Sequence, residues 1–284
     1  MMARRRAVVN RCTVTEISRF SPVPGTVYPA GGKGRGKAME LKTLSIRVPV
    51  DMEVRVVPLH GGYQLVADRR ACFAGPTDWD RMSNISTWNP AAAEMLVEWI
   101  RAADVPRPKV LAIGCGNGSF SRGLAEFGLD FAYTGCDIDP ATIAIARREF
   151  GGAAATFMVA EAHALPFEDR SFDVVLFEAS LNNMERFEDA VAEAGRVGAS
   201  WVIVYCVQTT DQGCHLYYRR NLRAIFNIDT SVPEVTFDEA ELLGLFRRQG
   251  FLLAGMARHT RRYLPLPGPE VCTATQKSLL FRRV

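Results

Sequence analysis

The stretch VLAIGCGNGSF at 110–120 limits the fold more than any other part of the chain, because an apolar run breaks there into three glycines at every second position. Val110, Leu111 and Ile113 suit a parallel strand buried on both faces. Gly114, Gly116 and Gly118 admit positive φ and let the main chain lie against a ligand without Cβ collisions. A helix is expected from Ser119. A dinucleotide-binding turn has the spacing Gly-x-Gly-x-x-Gly, with a pyrophosphate seated on the helix N-terminus. Here the third glycine arrives one residue early, and Ser119 stands where that pattern has glycine. The spacing favours a nucleoside-type ligand without phosphate. The plain alternative is a strand-to-helix turn that holds nothing.

The segment FAYTGCDIDP at 131–140 reads as a second apolar strand ending in Asp137, about twenty residues beyond the glycine loop, where a carboxylate can accept both hydroxyls of a ribose. Asp139 has a simpler role: it is an N-cap with Pro140 at the first helical position, worth about 1 kcal/mol.

The next segment, FMVAEAHALPFEDRSFDVVLFEASLNNM at 157–184, places Glu161 and Ala162 at a strand end, then Leu165, Pro166 and Phe167, then Ser171, Phe172 and Asp173 entering a fourth strand. With the glycine loop and Asp137, these motifs in this order resemble the class I S-adenosylmethionine-dependent methyltransferases. The resemblance covers roughly residues 90–284 and says little about the first 75. It implies S-adenosyl-L-methionine as cofactor, with Gly114, Cys115, Gly116, Asn117 and Gly118 around the methionine part and ribose. Asp137 would grip the ribose hydroxyls and Ile138 pack on the adenine. Glu161 would accept from the adenine amino group, the Ala162 amide would donate to a ring nitrogen, and the Phe177 carbonyl would take the methionine ammonium. His163 either lies over the adenine or is a loop histidine without a role.

The chain departs from the family in two places. The family carries Asp or Glu two residues before the first glycine, where it helps to hold the ammonium, and this chain has Ala112. A Lys-Pro-Gly-Gly turn before the fifth strand is replaced by RVGASW. The fourth strand ends FEAS at 177–180 rather than in the Asn/Asp-Pro-Pro-Tyr tetrad that resembling enzymes use on exocyclic amines of bases, which lowers the case for an adenine-N6 activity.

The expected fold is α/β: a Rossmann-like class I methyltransferase fold with a seven-stranded, mostly parallel sheet, an antiparallel last strand and helices on both faces. Asn89 and Pro90 open a helix over 90–104 whose apolar positions, Trp99 among them, repeat at helical spacing. A further helix is expected at 186–196. Thr236 and Glu239 suggest a capping box for one that ends at Gly250. Strands near 251–259 and 273–283 complete the sheet. The connection at 208–235 carries His215, Tyr217, Tyr218, Arg219 and Arg220. It is read either as the seat of acceptor specificity, with His215 a candidate general base, or as an amphipathic covering helix. Asn182 and Asn183 either orient an acceptor or end a strand.

Three units are expected: a basic, disordered tail at 1–38, a small β-meander at 39–75, and the catalytic domain at 76–284. The tail holds eight Lys/Arg and one Glu while the whole chain is net +3, so the rest is net acidic. Gly31 to Ala38 nearly spells a phosphate loop but lacks its Ser/Thr and a preceding strand. The tail can also be read as a nucleic-acid arm or a targeting segment, and Met39 as an alternative first residue. In the meander, Leu44, Ile46 and Val48, then Met52, Val54 and Val56, then Tyr63 and Leu65 alternate with polar residues. Trp79 and Trp88 are candidates for a lid over the acceptor.

No apolar run reaches the eighteen or so residues needed to span a bilayer. Seven cysteines without a Cys-x-x-Cys pair fit reduced thiols in a cytoplasm, with no metal site. The expected activity is methyl transfer to a small-molecule acceptor, with no catalytic residue, acceptor atom or oligomeric state assigned. The alternatives are an RNA or protein methyltransferase that uses the tail, a silent cofactor-binding module, and a nucleotide-cofactor oxidoreductase. Nucleic acid is a possible partner that is not favoured, and no membrane partner is expected.

Overall fold

Strands with apolar residues at nearly every position need both faces covered, and in the computed structural model helices cover both. The structure describes residues 10–14, 44–48, 54–59, 62–67, 90–211, 215–221, 231–259 and 275–284. The first strands are β1 (Asn10–Val14), β2 (Leu44–Val48), β3 (Val54–Leu59) and β4 (Gly62–Ala67). Then follow α1 (Pro90–Arg101), β5 (Lys109–Ile113), α2 (Ser119–Glu126), β6 (Ala132–Asp137), α3 (Pro140–Phe150), β7 (Ala155–Val159) and β8 (Phe172–Glu178). A 3₁₀ turn at Leu181–Asn183 leads to α4 (Phe187–Val197) and β9 (Gly198–Thr210). The chain continues through β10 (Leu216–Asn221), β11 (Ser231–Asp238), α5 (Glu239–Arg248), β12 (Phe251–Arg258) and β13 (Thr275–Arg283).

The main sheet runs β7-β6-β5-β8-β9 with every neighbour parallel. Beyond β9 lies β13, antiparallel to it, and then β12, antiparallel to β13. These seven strands follow the expected order with the last strand antiparallel, and β10 and β11, joined through the end of β9, extend the sheet to nine strands among the described residues. Side-chain alternation builds two cores from the same strands. Leu111, Ile113, Val175, Phe177, Val202 and Val204 pack with α4 and α5 residues such as Phe187 and Phe246. Val110, Ala112, Val174, Leu176 and Ile203 pack on the other face with Leu96, Ile100, Phe120, Leu124 and Ile143 from α1, α2 and α3. Trp99 is only partly buried and packs at the margin of that second cluster.

Local signals explain most helix ends. The Asp139 side chain accepts from the Ala141 and Thr142 amides, with Pro140 opening α3. Gly250, at φ +78°, follows α5. The cap of α5 is not the expected one: the Asp238 carboxylate accepts from Glu241 N at 3.0 Å, while Thr236 sits fully buried in β11.

Two other expectations change. Among the described residues of the connection after β9, β10 and β11 form an antiparallel pair where a covering helix is one reading of the sequence, and β11 also pairs in parallel with the end of β9. Their Tyr, Val and Thr content favours strand once the neighbouring ladder is available. The meander is divided: β3 and β4 form one hairpin, but β2 pairs with β1, a strand inside the segment read as a disordered tail. The rest of that tail, Asn89, Trp79 and Trp88 lie outside the described residues. Among the described residues no helix is long and apolar enough to cross a membrane.

Candidate active site

The carboxyl ends of β5, β6 and β8 meet around a cavity of about 490 Å³, the edge at which open α/β sheets bind ligands. Gly114, Gly116 and Gly118 all adopt the left-handed region, at φ +68°, +53° and +83°. Their reasons differ. A Cβ at Gly114 would overlap Ser180, whose hydroxyl donates to the Ile113 carbonyl at 2.7 Å and closes β8 onto β5. A Cβ at Gly118 would lie 2.8 Å from the Phe157 ring, so this glycine serves the packing of helix on sheet. A Cβ at Gly116 would meet nothing within 4 Å. Of the three, this glycine leaves its main chain open to a ligand.

Asp137 joins the loop to the neighbouring strand. Its Oδ2 accepts from Gly116 N at 3.0 Å and its Oδ1 from Asp139 N at 3.1 Å. Burial pushes this carboxyl up, and those amides draw it partly back. The Ile138 amide also hydrogen-bonds this carboxyl, and since a carboxylate has about four lone-pair sites it keeps acceptor capacity for a ligand. Ile138 stands beside it with 55% of its surface exposed, large for an isoleucine and suited to a flat apolar partner.

The Leu-Pro-Phe loop is held by one guanidinium. Arg196 of α4 donates to the Phe167 and Leu165 carbonyls at 2.7 and 3.0 Å and to the Asp169 and Glu193 carboxylates. Glu193 in turn accepts from Leu165 N at 2.8 Å. The hydrogen bond from Arg196 holds the Glu193 carboxyl below its ordinary value. Ala162 and His163, just before the clamped loop, lie on the cavity wall.

Of the residues expected from the sequence, Gly114, Cys115, Gly116, Asn117, Asp137, Ile138 and Ala162 line the cavity. Gly118, Glu161 and Phe177 do not. The Glu161 carboxylate lies 2.7 Å from His163 Nε2. The Phe177 ring is fully buried in the core, and its carbonyl accepts from Ala179 N at 3.1 Å. His215 does not line the cavity either: its Nδ1 accepts from Asp238 N at 2.9 Å, its Nε2 lies 3.2 Å from Glu241, and its ring packs edge-on against Phe187 and Phe237. It is a brace at the start of α5. Asn182 and Asn183 donate to the Val235 and Pro233 carbonyls, both at 2.7 Å, and tie the 3₁₀ turn to β11; of the two, Asn183 also lines the cavity.

Sequence reasoning passed over Glu178, Ser180, Met184 and Pro233, all on the cavity wall. Glu178 carried a signal: it continues the Val174, Leu176 alternation into a buried face.

Residues 111–204, which span β5 to the middle of β9, match the family described as "Methyltransferase domain". This part of the chain is similar to a methyltransferase domain. Over 95 residues it is 37% identical to a fatty-acid O-methyltransferase of Mycolicibacterium smegmatis, covering 34% of this chain and 35% of that protein. Over 112 residues it is 32% identical to a demethylmenaquinone methyltransferase of Thermus thermophilus, covering 39% and 48%. The matches thus span between about a third and a half of these relatives' lengths. Among solved structures, a putative sarcosine dimethylglycine methyltransferase from Galdieria sulphuraria superposes with a TM-score of 0.52 at 13% identity, covering 68% of this chain and 85% of that one. The MccD protein superposes at 0.51 and 16%, covering 70% and 100%. Both share the fold of the methyltransferase domain.

Proposed function

We propose that this chain transfers a methyl group from S-adenosyl-L-methionine to a small-molecule acceptor. The observation that carries the reading is the pairing of an open glycine, Gly116, with the Asp137 carboxylate across two adjacent strand ends, beside the exposed Ile138. These groups fit an adenosyl ligand: a carboxylate with spare acceptor sites for the ribose diol, an apolar face for the base, and a main chain unscreened by Cβ. The cavity volume falls in the range of small-ligand sites. When bound, the cofactor supplies a methyl group on a positively charged sulfur. The protein's tasks are to align the acceptor with that carbon and to keep water out, and alignment alone accounts for a large share of such rate gains.

The printed names of the relatives, fatty-acid and demethylmenaquinone methyltransferases, support an acceptor of the small-molecule class. Met184, Asn183 and Pro233 also line the cavity, and Pro233, rather than His215, is the residue through which β11 would contribute to acceptor specificity. Cys115, Cys136 and Cys206 are free thiols, which supports residence in a reducing cytoplasm.

Thermal unfolding with S-adenosylmethionine and S-adenosylhomocysteine tests the cofactor. Saturable stabilisation reaching about 2.7 kcal/mol at a hundred times the dissociation constant is expected. The absence of any shift with either ligand would refute the reading. Transfer of labelled methyl from the cofactor to cell-extract metabolites then identifies the acceptor class.

A further inference from the structure

Glu178 ends β8 at the cavity wall and is 3% exposed. Its Oε1 accepts from the Tyr133 hydroxyl at 2.6 Å, while Oε2 has no hydrogen-bond partner among the described residues. Burial pushes the Glu178 carboxyl well up. A buried carboxyl with one oxygen unsatisfied is costly whether ionised or neutral, and native folds keep few such groups without a use.

Its place in the sheet suggests that use. Ala112 of β5 is the parallel-ladder partner of Leu176 in β8, and both belong to the same core cluster. Glu178 lies two residues beyond Leu176, hence on the same face and nearer the cavity. The acidic residue that β5 lacks at Ala112 is therefore present on the adjacent strand, one step toward the ligand. The wall as a whole is acidic: Asp137, Asp139, Glu178 and Glu185 line it against Arg186, which is already paired with Asp189 at 2.6 Å. Such a wall favours a cationic ligand end over an anionic one.

We propose that Glu178 receives the α-ammonium of the methionine moiety, replacing the carboxylate that β5 does not carry. This assignment rests on reading the cavity as the S-adenosylmethionine site. The ammonium, not the sulfonium, is the partner because only the ammonium has N–H donors to complete Oε2 with a charge-assisted hydrogen bond.

The test is a thermodynamic cycle by calorimetry. Wild type and Glu178→Gln are each titrated with S-adenosylhomocysteine and with its analogue whose α-amino group is replaced by hydrogen. Glutamine keeps the volume and an oxygen for the Tyr133 hydroxyl. Wild type is expected to prefer the amino ligand by about tenfold or more. The variant is expected to lose that preference while holding the deaminated analogue within about threefold of wild type. Equal losses for both ligands, or no loss for either, would overturn the assignment. If the variant does not fold, wild type alone decides: equal affinity for the two ligands overturns the proposal, and the tenfold preference sustains it. Failure of wild type to bind S-adenosylhomocysteine at all refutes the cofactor reading instead, so the two failures are distinguishable.

Discussion

The Gly116 amide donates to Asp137 Oδ2 at 3.0 Å across 21 residues of sequence, so the glycine loop and the second strand end are one structural unit. Asp137→Ala is therefore expected to act twice. It removes acceptor sites for a ribose diol, weakening S-adenosylhomocysteine by about 2–4 kcal/mol. It also leaves the Gly116 and Asp139 amides without their acceptor, lowering thermal stability by about 1–3 kcal/mol. Calorimetry and thermal unfolding of the same preparation read both effects. An unchanged ligand affinity would remove Asp137 from the site.

Two glycines in the loop should separate binding from stability. Gly118→Ala adds a Cβ 2.8 Å from the Phe157 ring and 3.1 Å from the Ala146 Cβ at φ +83°. Overpacking of about 1–3 kcal/mol adds to a left-handed backbone cost of about 1–2 kcal/mol. Gly116→Ala bears only the backbone cost, because its Cβ meets open space. The expected pattern is a large fall in melting temperature for Gly118→Ala, against a small fall with a large loss of cofactor affinity for Gly116→Ala. Reversal of that pattern would show that Gly116 is not the point of ligand approach.

Glu178 gives a pH dependence with a definite sign. Its folded carboxyl is raised above the ordinary 4.5, chiefly by burial, so the folded state holds a proton that the unfolded chain has released. Its contribution to stability is fully present below about 4.5 and is lost as pH rises through the folded value. Glu178→Gln has no proton to release. Relative to wild type, the ligand-free variant should gain stability as pH rises above the ordinary value, and denaturant midpoints across pH 4 to 8 give the comparison. A gap that widens toward acid would contradict burial as the cause.

His215 is expected to matter for the fold. Its Nδ1 accepts from Asp238 N and its Nε2 faces Glu241, so His215→Ala should cost about 1–3 kcal/mol of stability and leave S-adenosylhomocysteine affinity unchanged. Loss of affinity in a fully folded variant would bring this histidine back into the site.

Much of the architecture was legible because each local signal carried its own physics. The run Val110–Ile113 can satisfy its apolar side chains only between two layers, and Asp139 with Pro140 can cap only a helix that begins there. Gly118 shows the limit of such reading. Its spacing grouped it with Gly114 and Gly116 as a ligand-facing residue, yet what forbids a Cβ there is Phe157, a ring from another strand. The antiparallel pair of β10 and β11 was missed for a related reason: its residues suit a helix or a strand, and pairing with the end of β9 decides between them.

The sequence by itself determined the strand order's raw material, the positive-φ loop and the carboxylate at position 137, since these follow from short-range sterics, hydrophobic periodicity and chain spacing. Tertiary structure alone decided which loop atoms remain open, how His215 and Asn182 serve as braces while Asn183 braces and also lines the cavity, and that a buried acid lies on the next strand two residues beyond the ladder partner of Ala112. Those outcomes depend on side chains that arrive from distant parts of the chain, and no local pattern encodes a distance between them.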